Sequence, residues 1–130
     1  HGKWSSYRGE MELVLADPEG VWKLGSGPPL HPLPLWAHTV CESVEGRLVS
    51  FNGQIVGWQG DSLLVVDPAH PAAVPLRVTV RSSLAWKRPF VYKGEVWQVT
   101  GVVSQFAQRS PWNGGYRVLP RYVDDLVRIE

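Results

Sequence analysis

The fold is decided by one stretch of the chain, residues 94–103, which reads GEVWQVTGVV. Apolar and polar residues alternate along it and valine is frequent, so the pattern predicts a half-buried strand over residues 95–103. Successive side chains of a strand point to opposite faces. The odd positions from Trp97 to Val103 are therefore predicted to lie on an inner face, and even positions such as Gln98 on an outer one.

Further segments on both sides of this stretch also show strand patterns. Residues 76–81 read LRVTVR, a strict alternation of apolar and polar residues. Residues 43–58 form a long strand interrupted at Asn52-Gly53, which predicts either a tight hairpin or a sharp bend over glycine. Additional strands are predicted at 62–67, 116–119 and 126–129. Short strands at this spacing are typical of an all-β barrel or sandwich.

Composition excludes several classes of protein. The 130 residues carry 13 basic and 12 acidic side chains, so the chain is neither a basic nor an acidic tail. The single cysteine, Cys41, excludes an internal disulfide framework and a multi-thiolate metal cluster. Because no apolar run approaches the roughly 20 residues of a membrane span, no membrane partner is expected.

Two segments of the chain resemble each other. Residues 9–24 align with residues 114–129 without a gap, and a loop, a strand, an acidic turn and a closing strand recur in the same order. On this basis residues 1–24 are predicted to be the β-rich end of a preceding domain. Residues 25–42 are predicted to be a Gly/Pro-rich linker with a short helix over 33–42, and residues 43–130 to be one complete domain.

The strand order in residues 43–130 resembles the oligonucleotide/oligosaccharide-binding (OB) fold, a five-stranded Greek-key barrel. The long first strand bent over glycine, the rhythm of residues 94–103 and the ending at 116–127 carry this resemblance. It implies an all-β fold of the kind found in tandem in bacterial DNA-handling or nuclease-associated proteins. The single cysteine fits both the bacterial cytoplasm and secretion as part of a larger protein.

The net charge of the chain is close to zero, but the charges are unevenly distributed and the C-terminal part is basic. Residues 1–76 contain 4 basic and 8 acidic side chains, whereas residues 77–130 contain 9 basic and 4 acidic ones. Single-stranded nucleic acid binds where aromatic side chains stack on bases and cations follow the phosphates. Arg77, Thr79 and Arg81 are predicted to share one outer strand face. The predicted nucleic-acid-binding residues are Trp58, Arg77, Thr79, Arg81, Trp86, Lys87, Arg88, Lys93, Arg109, Trp112, Tyr116, Arg117 and Arg121.

Groups suited to catalysis are sparse, and no catalytic residue, metal ligand or cofactor is predicted. His31, His38 and His70 do not show metal-ligand spacing along the chain. His38 and Cys41 are three residues apart, which favours a packed thiol over a nucleophile pair. The adjacent Asp124 and Asp125 are interpreted as turn formers and partners for arginine.

These observations favour a non-catalytic module that binds single-stranded DNA with low sequence specificity. The alternative is an assembly module, because the strands of residues 1–24 could pair with another sheet edge and form a homodimer. Carbohydrate binding is a third hypothesis, since OB folds also accept oligosaccharides.

Overall fold

The computed structural model describes residues 1–130, and its regular structure consists of nine strands and four single 3-10 turns. The 3-10 turns are Pro18–Gly20, Ala37–Thr39, Glu42–Val44 and Val123–Asp125. The strands are β1 (Gly2–Tyr7), β2 (Glu10–Leu15), β3 (Leu33–Pro34), β4 (Leu48–Gln59), β5 (Ser62–Val66), β6 (Leu76–Thr79), β7 (Val96–Gln105), β8 (Tyr116–Leu119) and β9 (Leu126–Arg128). No helix has the length and apolar character that crossing a membrane would require.

Five of the strands form a closed barrel. They are hydrogen-bonded in the order β4, β5, β6, β8, β7, and the pairing of β4 with β7 closes the ring. The β6–β8 pair is parallel, and the other four pairs of the ring are antiparallel. The predicted all-β class and five-stranded barrel are thereby confirmed, and the barrel is consistent with an OB-like fold.

The interruption in the long strand is a bend, and the alternative of a tight hairpin is wrong. Residues 48–54 of β4 pair with β7, and residues 54–59 pair with β5, with a register shift between Ile55 and Gly57. The strand has to curve so that one segment serves two partners in a small barrel. Glycine suits the bend, because a Cβ at Gly53 would lie 3.0 Å from the Cβ of Val65.

The core is filled mainly by valine side chains from the inner faces of the barrel strands. On β7, Trp97, Val99, Gly101 and Val103 are all buried, whereas Gln98 is exposed, so the predicted inner face is confirmed. Six valine side chains have no measurable exposure, namely Val49, Val65, Val78, Val99, Val103 and Val118. Their β-branched shape suits a pleated surface and fills the narrow interior.

The short helix predicted over residues 33–42 is replaced by irregular structure. β3 pairs in parallel with Val49–Ser50, and the 3-10 turn Ala37–Thr39 follows. The prolines at 32 and 34 oppose an α-helix, since each lacks a backbone N–H. Ala37 is part of the barrel core, and its N–H donates to Asp67 Oδ1 at 2.8 Å. This part of the segment is therefore packed on the barrel.

The N-terminal strands β1 and β2 form a separate two-stranded sheet. Their connecting turn, Arg8-Gly9, has positive φ at both residues (51° and 98°), which is the geometry of a tight hairpin. The turn contacts the barrel: the Arg8 carbonyl accepts the Ala107 N–H at 2.9 Å, and Glu10 Oε2 accepts the Ser104 hydroxyl at 3.0 Å. The hairpin is thus attached at its tip, and most of its other side chains are exposed.

Candidate nucleic-acid interface

Arginines from three separate parts of the sequence meet on the outer surface of β6 and β8. Arg77 and Arg117 are directly opposed in the parallel β6–β8 pair. Arg81 lies just beyond the end of β6, and its positive charge is close enough to lower the pKa of Arg117. Arg8 reaches the same surface from the turn of the N-terminal hairpin. We refer to Arg8, Arg77, Arg81 and Arg117 as the arginine patch.

The ring of Phe106 contacts two arginines of the patch. The guanidinium carbon of Arg8 lies 4.6 Å from the centre of the Phe106 ring, and that of Arg117 lies 4.7 Å from it. Cations bind to the faces of aromatic rings, because the ring faces carry partial negative charge. Two like charges are thus held near a single ring, and this geometry leaves guanidinium N–H groups free to donate elsewhere.

No member of the arginine patch forms an ion pair. The three ion pairs of the chain involve His38, Arg121 and Arg128 instead. Arg77 donates to the neutral Gln59 side chain at 3.2 Å, and Arg117 contacts the Ser104 hydroxyl at 3.4 Å. A cluster of arginines without carboxylate partners is electrostatically unfavourable by itself, and a bound anion would relieve it.

The pKa of Arg117 is lowered by its surroundings. Burial lowers the pKa of its guanidinium below the ordinary value, and repulsion from Arg81 and Arg77 lowers it further. The nearby carboxylates of Glu10 and Asp61 act in the opposite direction without reversing the shift. Arginine stays protonated in proteins, so Arg117 keeps its positive charge in this partly buried position.

Two depressions that share lining residues border Arg77, and one of them also borders Arg117; Arg8 and Arg81 line neither. One is a cavity of about 250 Å³, and the other is a cavity of about 370 Å³ that extends to His38. Arg77, Phe106 and Gly115 line both. Asp61 also lines the smaller cavity and is its one carboxylate. The two cavities together form a groove that could hold an extended chain carrying several negative charges.

A separate cleft lies at the connection between β6 and β7. Trp58, at the end of β4, faces residues 88–92 across a cavity of about 360 Å³. Trp58 is 55% exposed and Phe90 is 92% exposed, so both rings are accessible to a planar ligand. Arg88 lines the cleft as well. We call this surface the aromatic cleft. Gln59, the residue after Trp58 on β4, accepts a hydrogen bond from Arg77 of the arginine patch.

Other sequence-predicted residues occupy less accessible positions. Thr79 is buried and its hydroxyl bonds to Ser62 at 2.8 Å, so the prediction that it shares an open face with Arg77 is wrong. Ser62 is the residue paired with Thr79 on the neighbouring strand β5. Trp86 packs against the core and its ring N–H donates to the Arg121 carbonyl at 2.9 Å. Trp86 is only partly exposed, whereas Thr79, although buried, lines the smaller cavity beside Arg77.

The polar groups of Tyr116 and Arg121 are both bonded to acidic side chains of the chain. The Tyr116 hydroxyl donates to Glu42, and burial together with this contact raises the pKa of Tyr116 to about 12. Arg121 is paired with Asp125. The remaining predicted residues, all exposed, lie in the loops between β6 and β7 and between β7 and β8. They are Lys87, Lys93, Arg109 and Trp112.

Two residues of this site were absent from the sequence-based set, namely Arg8 of the arginine patch and its ring partner Phe106. Arg8 lies more than 90 positions from its ring partner, so only the docking of the hairpin brings them together. The sequence carried one usable signal, the Tyr7-Arg8 pair before a glycine, which marks an exposed turn. The expectation that Cys41 is a packed thiol is wrong, because Cys41 is exposed and contacts the Ser43 hydroxyl, while His38 bonds to Asp67.

Comparison with known proteins bears on the fold. A solved structure described as OBody AM3L09 bound to hen egg-white lysozyme is similar to this chain, with a TM-score of 0.50 and 19% sequence identity. The alignment covers 81% of this chain and 98% of the other. No protein-family model matches the sequence. No curated protein matches it either.

Proposed function

We propose that this chain is a non-catalytic module that binds single-stranded nucleic acid, with single-stranded DNA as the preferred ligand. The observation that carries the proposal is the arginine patch, in which four guanidiniums lie together without an ion pair. Arginine binds phosphate through paired N–H donors. In this proposal the phosphates follow the groove, and bases stack in the aromatic cleft on Trp58.

The salt dependence of binding tests the role of the arginine patch. We would titrate a fluorescein-labelled oligothymidine of about 15 nucleotides, close to the upper site size of one OB barrel. The double variant Arg77→Ala/Arg117→Ala should bind more weakly. It should also lower the slope of log K against log salt by about 1.4, since each phosphate contact on a single strand contributes about 0.7.

Arg128→Ala provides a matched control. This arginine is exposed and opposes Trp97 on β7, whereas Arg117 opposes Ser104, seven residues further along the same strand. At about 3.3 Å per residue the two sites are roughly 23 Å apart. Arg128→Ala should leave the salt slope unchanged. Equal effects of the patch and control variants would show that general charge, and not the arginine patch, accounts for binding.

Stacking in the aromatic cleft has its own test. Trp58→Ala should weaken oligothymidine binding by about 1–3 kcal/mol with little change in the salt slope, because stacking releases no counterions. Trp22→Ala is the control, since Trp22 is 72% exposed and lies in the segment after the N-terminal hairpin. Failure of the oligonucleotide to bind at low salt would remove the proposal, and a positive glycan titration would then favour the carbohydrate hypothesis.

A second candidate function is protein assembly, and the N-terminal hairpin favours it. Trp4 and Met11 are each more than 60% exposed, and Leu13 is about half exposed. These apolar side chains are exposed because no other layer of the protein packs on the two-stranded sheet to which they belong. The OBody structure shows a barrel of similar fold bound to a protein, which supports considering this role here. Sedimentation of the full chain tests it. A concentration-dependent dimer that Leu13→Lys dissociates would support assembly, and a monomer at all concentrations would contradict it.

We also propose that residues 9–24 repeat the closing segment of the barrel, residues 114–129, as a trace of tandem modules. Local structure supports the strand and the turn of this repeat but not its closing strand, because residues 21–24 form no strand whereas the aligned segment contains β9. In each segment a strand leads to a single 3-10 turn, at Pro18–Gly20 and at Val123–Asp125, and the aligned turns begin and end at equivalent positions. The backbone N–H that closes each turn donates over 3.1 Å, from Gly20 to Asp17 and from Asp125 to Tyr122.

A further inference from the structure

Two histidines and one aspartate converge at one end of β5. Asp67 follows β5 directly, and His70 lies in the turn after it, where its N–H donates to the Asp67 carbonyl at 2.9 Å. His38 belongs to the 3-10 turn Ala37–Thr39, which crosses the same end of the barrel. Each of the three residues offers one potential metal-ligand atom, and these atoms all lie within 4.8 Å of one another.

Asp67 is buried, with 1% of its surface exposed, and its carboxylate is fully engaged. Oδ1 accepts the Ala37 N–H at 2.8 Å, and Oδ2 accepts the His38 N–H at 3.0 Å. The same Oδ2 contacts Nδ1 of the His38 ring. Nδ1 therefore donates its proton to the carboxylate, which leaves the lone pair of Nε2 available. A carboxylate that fixes the ring in this way is the usual support of a metal-binding histidine.

The second imidazole is already positioned beside the first. The ring centres of His38 and His70 are 4.4 Å apart, and the rings are inclined at 47°. On its other side His70 meets the edge of Trp36, with ring centres 5.8 Å apart. Both histidines remain exposed at the surface, so an ion in solution can reach them. The pair is thus held by an aromatic ring on one side and a buried carboxylate on the other.

We propose that His38 and His70 bind one divalent transition-metal ion of the zinc class, with Asp67 as the carboxylate that orients His38. Imidazole is a preferred ligand of Zn²⁺, Cu²⁺ and Ni²⁺, whereas Ca²⁺ and Mg²⁺ require oxygen ligands. Water molecules complete the coordination. This inference goes beyond nucleic-acid binding and does not depend on it. It also departs from the expectation of no metal ligand, which considered only spacing along the chain.

A calorimetric titration of the full, untagged chain with ZnCl₂ tests the proposal. We expect saturable binding of one ion, and His70→Ala should abolish it or weaken it at least tenfold. His70 lies in an exposed turn, so this variant should keep the fold. His31→Ala is the matched control, because His31 is exposed and lies outside the cluster. Neither Mg²⁺ nor Ca²⁺ should compete with Zn²⁺.

The orienting role of Asp67 requires a separate variant. Loss of such a supporting carboxylate typically lowers metal affinity by 10- to 100-fold, so Asp67→Asn should retain weak binding. Circular dichroism would establish that the variant is folded, and the visible absorption of bound Co²⁺ would report the change in coordination. Absence of saturable Zn²⁺ binding by the native chain would overturn the proposal. Equal zinc affinities of the native, His70→Ala and His31→Ala chains would overturn it as well.

Discussion

Replacing Asp125 by alanine should destabilise the barrel, whereas the same change at the adjacent Asp124 should not. Asp125 is 7% exposed, and Asp124 is exposed. One oxygen of Asp125 accepts the backbone N–H of Arg121 at 2.8 Å and its Nε at 3.0 Å, while the other accepts Nη2 at 3.0 Å. These bonds hold the turn that leads from β8 into β9.

The magnitude follows from what the alanine variant leaves behind. The backbone N–H of Arg121 would lose its acceptor in a partly buried position, at a cost of about 1–3 kcal/mol. The guanidinium is about one third exposed, so water replaces much of the lost ion pair, which then contributes at most about 1 kcal/mol. We therefore expect a loss of about 2–3 kcal/mol in the free energy of unfolding. For a domain of this size that lowers Tm by roughly 10 °C.

Urea denaturation followed by tryptophan fluorescence measures both variants under the same conditions. Asp124→Ala should change the free energy of unfolding by no more than about 0.5 kcal/mol, as is usual for exposed positions. The m-value should stay constant, because the surface exposed on unfolding does not change. Equal effects of the two substitutions, or a loss below about 1 kcal/mol for Asp125→Ala, would refute the reasoning.

The same pair predicts a dependence on pH. Burial by itself raises the pKa of the Asp125 carboxyl, but the hydrogen bonds from Arg121 outweigh it, so the net pKa lies below its ordinary value. A lowered pKa in the folded state gives stability that is complete above the unfolded pKa of about 3.9. That stability is lost as pH falls through the folded pKa. The difference between the native chain and Asp125→Ala should therefore be constant near neutrality and shrink below about pH 4.

Three further changes test the packing of the barrel. Gly101→Ala should lower the free energy of unfolding by about 1–3 kcal/mol through overpacking, since the new Cβ would lie 2.7 Å from the Leu119 carbonyl oxygen. Gly27→Ala is the control for the same denaturation assay and should be neutral, because no atom lies within 4 Å of a Cβ at that position. Ile55→Ala should cost about 2–5 kcal/mol because the side chain is 1% exposed, and a smaller loss would mean that the core collapses around the cavity. Gln105→Ala removes hydrogen bonds to two carbonyls of the β7–β8 loop, at 2.7 and 3.1 Å, and should speed amide exchange there without affecting β4.

The strands were predictable because their signals are local. Alternation of apolar and polar residues located β6, and it assigned the inner face of β7, since a strand with one buried face needs an apolar side chain at every second position. The segment over 33–42 was not predictable in the same way. Its backbone N–H groups bond to Asp67, some 30 residues away, and this partner is invisible to any local pattern.

Charge alone separated a basic half of the chain from an acidic half, but it did not decide which arginines are free. Arg121 is paired with an aspartate four residues away, and Arg128 is paired with Glu95 across the β7–β9 contact. Arg77 and Arg117 meet because β6 and β8 lie side by side in parallel, a neighbourhood that follows from barrel closure. Composition is a sum over the chain, whereas an interface depends on which charges share a surface.

By itself the sequence determined the all-β class, most of the strands and the inner face of β7, because these depend on the side-chain periodicity of single strands. Only the tertiary structure decided how the long strand serves two partners, how Arg8 reaches Phe106, and how His38 comes to lie beside His70. Each of these depends on contacts between residues far apart in the chain. Such contacts form only when the barrel closes, and no repeat or spacing along the sequence encodes their distances.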